Sequence, residues 1–253
     1  MFKFNSLINQ RVKRSISSED FKELKNLMSM YESRYYARFV CSVKKPQRLL
    51  GQNGLKFLLS SLQRSRFLFT GLIDCLNRPN LTLSFLAVRS HFETTGSVAY
   101  YYSHLQQFYG GKIDFNKMDN ILRRLSIGCK NFPVEEKKDP SWVDAINVLT
   151  LIDEADKLFN EMAKEKMNVF RGSYDFLSEF CHPNLFGLTI HAEIINSRNP
   201  TWVVFHKSPL LKKKEYSTLI SHLMISSHFF FPIYDKAFSI IKDIEEVPSL
   251  YKS

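Results

Sequence analysis

The sequence predicts a mainly α protein, a multi-helix bundle around one core with a single small β-hairpin inserted near residues 186–207. Three observations predict it. Apolar residues make up 44% of the 253-residue chain, ample for a packed interior. Nine Gly and nine Pro are few breakers for this length, so long uninterrupted elements are expected. Apolar positions recur at helical spacing along most of the chain and alternate in one late stretch.

Residues 1–18 read as an N-terminal arm; Arg11, Lys13 and Arg14 precede the first acid, Glu19. That basic bias superficially matches an organelle presequence, but an arm packed on the domain is the expectation. Ser17 and Asp20 form a capping-box-like start, and Phe21, Leu24, Leu27, Met28 and Tyr31 continue a helix to about Val40. Lys44 to Asn53, with Pro46 and Gly51, reads as a loop. A second helix, Gly54 to Asn77, carries Leu55, Leu58, Leu59, Leu62, Phe69, Leu72 and Ile73 and stops before Pro79.

Asn80 is placed to cap a third helix, Leu81 to about Tyr109, ended by Gly110-Gly111. A short helix follows from Asn116 to Cys129, then a charged connector, Pro133 to Pro140. Ser141 is expected to cap a long helix through Met162. Asn168 to Cys181 is a further helix, stopped by Pro183. Between Leu185 and Lys207, Leu188, Ile190, Ala192 and Ile194 and then Trp202 to Phe205 read as two strands joined around Asn196 to Pro200. The last helix runs from about Lys214 to Asp243, with a kink expected at Pro232. The 253 residues read as one domain, without repeats or low-complexity segments.

The net charge of +10 suggests an anionic partner, nucleic acid before acidic lipid. The cations are dispersed, however, as Lys44-Lys45-Arg48, Arg64 and Arg66, Arg123-Arg124, Lys137-Lys138 and Lys212-Lys213-Lys214. Whether they converge is a question for the fold. Cys41, Cys75, Cys129 and Cys181 are too widely spaced for a zinc knuckle or redox motif, and a reducing, cytoplasmic compartment is the simple reading. No apolar run approaches the roughly 20 residues of a membrane span. A phosphate-cradling glycine loop, a dinucleotide fingerprint, a nucleophile elbow and His-Glu-x-x-His are all lacking, and no cofactor is expected.

Two constellations remain. On the third predicted helix, at about 100° per residue, Thr82, Leu86, Arg89, Glu93, Gly96 and Tyr100 share one narrow sector beside Phe85, Val88, Phe92 and Ala99. Arg89 and Glu93 therefore sit at the edge of a buried face, where an ion pair is costly unless well satisfied. Gly96 in mid-helix allows a neighbour to approach closely. In the segment from Arg171 to Asn184, Arg171, Ser178 and His182 align, with Phe170, Tyr174, Leu177 and Cys181 as the adjoining apolar face. The helix C-terminus favours a charged His182, which suits either a proton donor or a plain cap for free carbonyls. Were the two helices adjacent, Arg89, Glu93, Tyr174, Ser178 and His182 would meet in one polar pocket.

His191 and Glu193 lie two apart on a presumed strand and, with His206, make an incomplete metal set, so no metal is expected. His91 points away from Arg89 and reads as exposed. His222 and His228 do not share a face.

Ala87-Val88-Arg89-Ser90-His91-Phe92-Glu93, together with Tyr174, Leu177, Ser178, Glu179, His182 and Pro183, resembles a family of helical bacterial proteins related to the HEPN group. The resemblance spans residues 55 to 240 in layout and rests on these few motif residues. It implies a cytoplasmic helical bundle, often a homo-oligomer such as a dimer. Many HEPN-like proteins are ribonucleases of toxin-antitoxin and phage-defence systems, acting with a protein partner encoded nearby.

The catalysis so implied is attack on RNA by its own 2′-hydroxyl without metal, His182 serving as acid or base and Arg89 steadying the phosphate, with Glu93, Ser178 and Tyr174 around them. Arg171, Lys212, Lys213 and Lys214 are the nucleic-acid-binding candidates. The family signature is Arg, then four to six residues, then His. Here ten residues separate Arg171 from His182, and eleven helical steps span about 16 Å. Either Arg89 supplies the arginine from another helix, or the scaffold is a non-catalytic adaptor or sensor.

Overall fold

The structure is a computed structural model that describes residues 8, 10–39, 49–78, 80–129, 143–196, 201–205, 213–244 and 250–251. Predicted features on Cys41, Lys44, Lys45, Pro46, Arg48, the Pro133–Pro140 connector, Ser141, His206 and Lys212 lie outside them. The described chain is a helical bundle, as the periodicity predicts. Its helices are α1 (Gln10–Ser15), α2 (Ser18–Arg34), α3 (Leu49–Asn77), α4 (Leu81–Tyr109), α5 (Phe115–Ser126), α6 (Val148–Ala163), α7 (Val169–Cys181), α8 (Leu185–Thr189) and α9 (Lys213–Ile244). Two antiparallel two-stranded sheets accompany them: β1 (Arg38–Phe39) with β4 (Leu250–Tyr251), and β2 (Ala192–Asn196) with β3 (Thr201–Phe205).

Local chemistry sets the helix ends. Ser17 Oγ accepts the Asp20 amide at 2.9 Å and Asp20 accepts the Ser17 amide at 3.4 Å, so the predicted capping box starts α2. Asn80 accepts the Leu83 amide at the start of α4, and Gly111, at φ 71°, makes the left-handed exit. The N-terminal arm is in part helical, and Ile8, Val12 and Ile16 anchor it to the core.

α4 is the axis of the bundle and packs against α3, α5, α6, α7 and α9. It is buried on nearly every side, so small and neutral polar residues (Ser84, Thr95, Gly96, Ala99) alternate with Val88 and Phe92. A Cβ on Gly96 would stand 2.9 Å from the Leu151 carbonyl oxygen, which is the close approach of α6 that a mid-helix glycine predicts. Aromatic contacts join the layers: Phe92 to Phe170 at 5.4 Å, Phe170 to Phe229 at 4.8 Å, and Tyr31 to Phe231 at 4.7 Å between ring centroids.

Several predicted boundaries need correction. The α2 helix stops at Arg34 rather than near Val40, because Tyr35 is extended and residues 38–39 pair with 250–251 as a strand. α3 begins at Leu49, with Gly51 and Gly54 inside it; Gly54 is there because Tyr101 Oη occupies the space a side chain would take. α6 starts at Val148, where Asn147 accepts the Leu149 amide at 3.0 Å. The start of the predicted hairpin is instead α8, nucleated by Asn184 accepting the Gly187 amide at 3.0 Å. Pro232 lies within α9, which runs through it.

Candidate functional site

Helices α4 and α7 lie side by side and bring together three of the five candidate residues. Arg89 Nη2 donates to Tyr174 Oη at 2.7 Å, and the phenol in turn donates to Glu93 Oε1 at 3.2 Å. Arg89 Nε stands 3.4 Å from the same carboxylate oxygen, an ion pair across one turn of α4. The guanidinium carbon lies 5.0 Å from the Tyr174 ring centroid, adding a cation–π contact. Arg89 and Glu93 are half-buried, at the edge of the core as their helical phase requires.

Electrostatics keep Arg89 charged and Tyr174 neutral. Burial draws the Arg89 pKa down, but the bond to Tyr174 and the Glu93 charge outweigh it and leave it above the ordinary value. Burial pushes the Tyr174 phenol up, against the opposing pull of Arg89. Burial likewise raises the Cys181 thiol, away from a reactive thiolate. None of these three groups is driven toward titration near neutral pH, so none of them makes a proton shuttle.

The other two candidates take different positions. The Ser178 hydroxyl is buried along the same face of α7 and has no hydrogen-bond partner among the described residues. The His182 side chain is exposed, and nothing in the described structure joins it to Arg89, Glu93 or Tyr174. Its backbone N–H donates to the Ser178 carbonyl at 3.1 Å, so residue 182 is the C-cap of α7.

The basic candidates also resolve. Arg171 is forked between two carboxylates, Nη1 to Asp153 at 2.8 Å and Nε to Asp175 at 3.1 Å, so its charge is balanced within the fold. Lys213 and Lys214 open α9, and Lys214 is exposed. Convergence occurs elsewhere. Lys56 and Arg64 of α3 and Arg123 of α5 line a cleft of about 1010 Å³ bounded by α3, α4, α5 and α6. Glu93 stands on its wall, so the α4–α7 cluster and the cleft share a residue.

Periodicity missed two further polar residues. Asp156 of α6, a buried carboxylate, accepts the Phe170 amide at 2.7 Å and the Arg171 amide at 2.6 Å, capping α7 from outside the helix. An acid on the apolar stripe Ile152, Ala155 and Phe159 was the signal.

His91, expected to be exposed, is fully buried at 0%. Its Nε2 lies 2.8 Å from Tyr31 Oη and 2.7 Å from Ser65 Oγ, and its Nδ1 lies 2.8 Å from Ser226 Oγ. Burial lowers its pKa to about 3 and raises that of Tyr31 to about 12. The side facing away from Arg89 is a second buried face, because α4 is enclosed by neighbours.

No group of three or more metal-ligating residues occurs among the described residues. His191 precedes β2 and sits 3.2 Å from Thr82 Oγ1, while Glu193 is exposed. No described helix is long and apolar enough to cross a membrane. No family model matches the sequence, and none of the curated proteins or solved structures compared with it matches either.

Proposed function

We propose that this chain is a cytoplasmic HEPN-like protein of a bacterial defence system that binds single-stranded RNA in the α3–α6 cleft without cutting it. One observation carries the reading: Lys56, Arg64 and Arg123, dispersed in sequence, are gathered around a single cavity of about 1010 Å³. That volume is at the upper end of the roughly 300–1,000 Å³ usual for ligand sites. Cations along a groove track phosphates, and an exposed ring such as Phe115 on its border stacks bases of any sequence. Glu93 and Asp119 add acceptors for ribose hydroxyls or base amino groups. The motif residues Arg89, Glu93 and Tyr174 then stiffen the cleft wall instead of attacking a phosphate. Binding is favoured over cleavage because Arg89 is already engaged by Tyr174 and Glu93.

Fluorescence anisotropy of a labelled single-stranded RNA tests this reading at about 50 and about 200 mM salt. The wild type is expected to bind in a salt-dependent manner and leave the RNA intact. The triple substitution Lys56→Glu, Arg64→Glu, Arg123→Glu should weaken binding at least about tenfold and flatten the salt dependence. Equal binding by wild type and triple variant overturns the proposal. So does RNA cleavage that His182→Ala abolishes.

An adaptor role through protein contacts is the second reading. It is favoured by the apolar surface around β2 and β3.

A further inference from the structure

Beyond Arg64 the α3–α6 cleft adjoins a second hollow, of about 670 Å³, between α3 and the segment Tyr35–Arg38 that leads into β1. Ser60 and Arg64 line both spaces, so the two meet along α3. One stripe of that helix runs through them. At about 100° per residue, Lys56, Ser60, Arg64 and Phe67 fall within about 80° of one another and span about 16 Å of helix axis. All four are exposed.

The second hollow differs in chemistry from the first. Its tyrosines are held by the fold: Tyr36 stacks on Phe238 at 6.2 Å between centroids, and the Arg66 guanidinium lies 5.7 Å from the Tyr35 ring centroid. Phe67, at 59% exposure, instead presents its ring to solvent. Gln63, one helical turn before it, buries Oε1 without a hydrogen-bond partner among the described residues. A buried acceptor left unmet costs free energy that an incoming N–H recovers. Arg38 and Arg64 supply the charge, and no Asp or Glu occurs in the lining among the described residues. In sequence, the stretch from Val40 to Arg48 adds Lys44, Lys45 and Arg48, again without an acid.

We propose that this hollow is a nucleobase subsite. An RNA strand held in the α3–α6 cleft crosses Arg64 and stacks a base on Phe67, while a base N–H donates to Gln63 Oε1. The inference rests on the RNA reading of the cleft and extends it to a two-part track. Arg64 stands at the seam, where its Nε donates to Thr94 Oγ1 at 3.1 Å and fixes the guanidinium where the phosphate backbone passes. An unpaired base offers the three things the hollow calls for: a π-face, N–H groups on its edge and an attached negative charge. An apolar side chain of a protein would cover Phe67 but leave Gln63 and the arginines unmet.

Fluorescence anisotropy with a labelled single-stranded RNA of roughly 12 nucleotides tests the subsite. Phe67→Ala should weaken binding at least about fivefold, since stacking on one ring contributes on that order, and Phe67→Tyr should stay within about twofold of wild type. Gln63→Leu should weaken binding at least about threefold without lowering the melting temperature, because it removes an unmet acceptor. Circular dichroism checks the fold of each variant; if Phe67→Ala loses its helices, Gln63→Leu alone decides. Wild-type affinity in Phe67→Ala or in Gln63→Leu overturns the subsite, as does an equal loss in Phe67→Ala and Phe67→Tyr. If the Lys56, Arg64 and Arg123 triple variant still loses binding in that case, the cleft reading stands without the subsite. A wild type that does not bind the RNA overturns both.

Discussion

Arg89 and His91 stand two residues apart on one helix and face two different environments. On one side of α4, the half-buried Arg89 and Glu93 form an ion pair that solvent still reaches, and the buried Tyr174 phenol hydrogen-bonds to both. On the other side, His91, Tyr31, Ser65 and Ser226 are sealed from solvent and uncharged, because no counter-ion accompanies them and desolvation alone governs. The histidine a motif search would seize upon is thus a structural node joining α2, α3, α4 and α9. The arginine is half-buried, and its ion-pair partner Glu93 lines the cleft. Residue type marks a candidate; exposure decides its role.

The sharpest way to break this contrast is to remove the sealed imidazole. His91→Ala opens a cavity in the core and removes three hydrogen bonds, although Tyr31 and Ser65 stay bonded to each other and Ser226 to Thr95, and should cost about 2–5 kcal/mol in urea unfolding. A loss below about 1 kcal/mol would deny His91 its structural role.

Acid titration sharpens it further. The unfolded chain protonates this imidazole as pH falls through about 6.5, whereas the folded chain does so only near pH 3. Stability from this group is therefore complete above pH 6.5 and erodes as pH falls toward 3, by about 1.4 kcal/mol per pH unit. The slope difference between wild type and His91→Gln measures it.

A smaller effect is expected on the open side. Arg89→Met and Tyr174→Phe in a double-mutant cycle should show a coupling of about 1 kcal/mol, as for a partly exposed charge-assisted bond. The smallest belongs to His182→Ala, which should shift stability by less than about 0.5 kcal/mol, since the side chain is exposed. A large loss there would mean the imidazole is tied into the fold.

Much of the helical layout was legible because its determinants are local. The Ser17–Asp20 box, the Asn80 cap and the Gly110-Gly111 exit each act within a few residues, and α4 has the bounds they predict. The Arg89–Glu93–Tyr174 meeting was legible only conditionally: helical phase put Arg89 and Glu93 at the edge of one apolar face and Tyr174 within another, and the packing of α4 on α7 brought them together. Asp156 and His91 were misread or missed for the opposite reason. Their partners lie on other elements, Phe170 on α7 for Asp156 and Tyr31, Ser65 and Ser226 for His91.

By itself, then, the order of amino acids determined the helices, their caps and which residues share a stripe, because those follow from 3.6-residue geometry and short-range hydrogen bonds. Only the tertiary structure decided that the His91 side of α4 is buried and that Lys56, Arg64 and Arg123 line one cleft. Those outcomes depend on which helix faces lie against each other, a long-range choice among many apolar stripes that periodicity leaves equivalent.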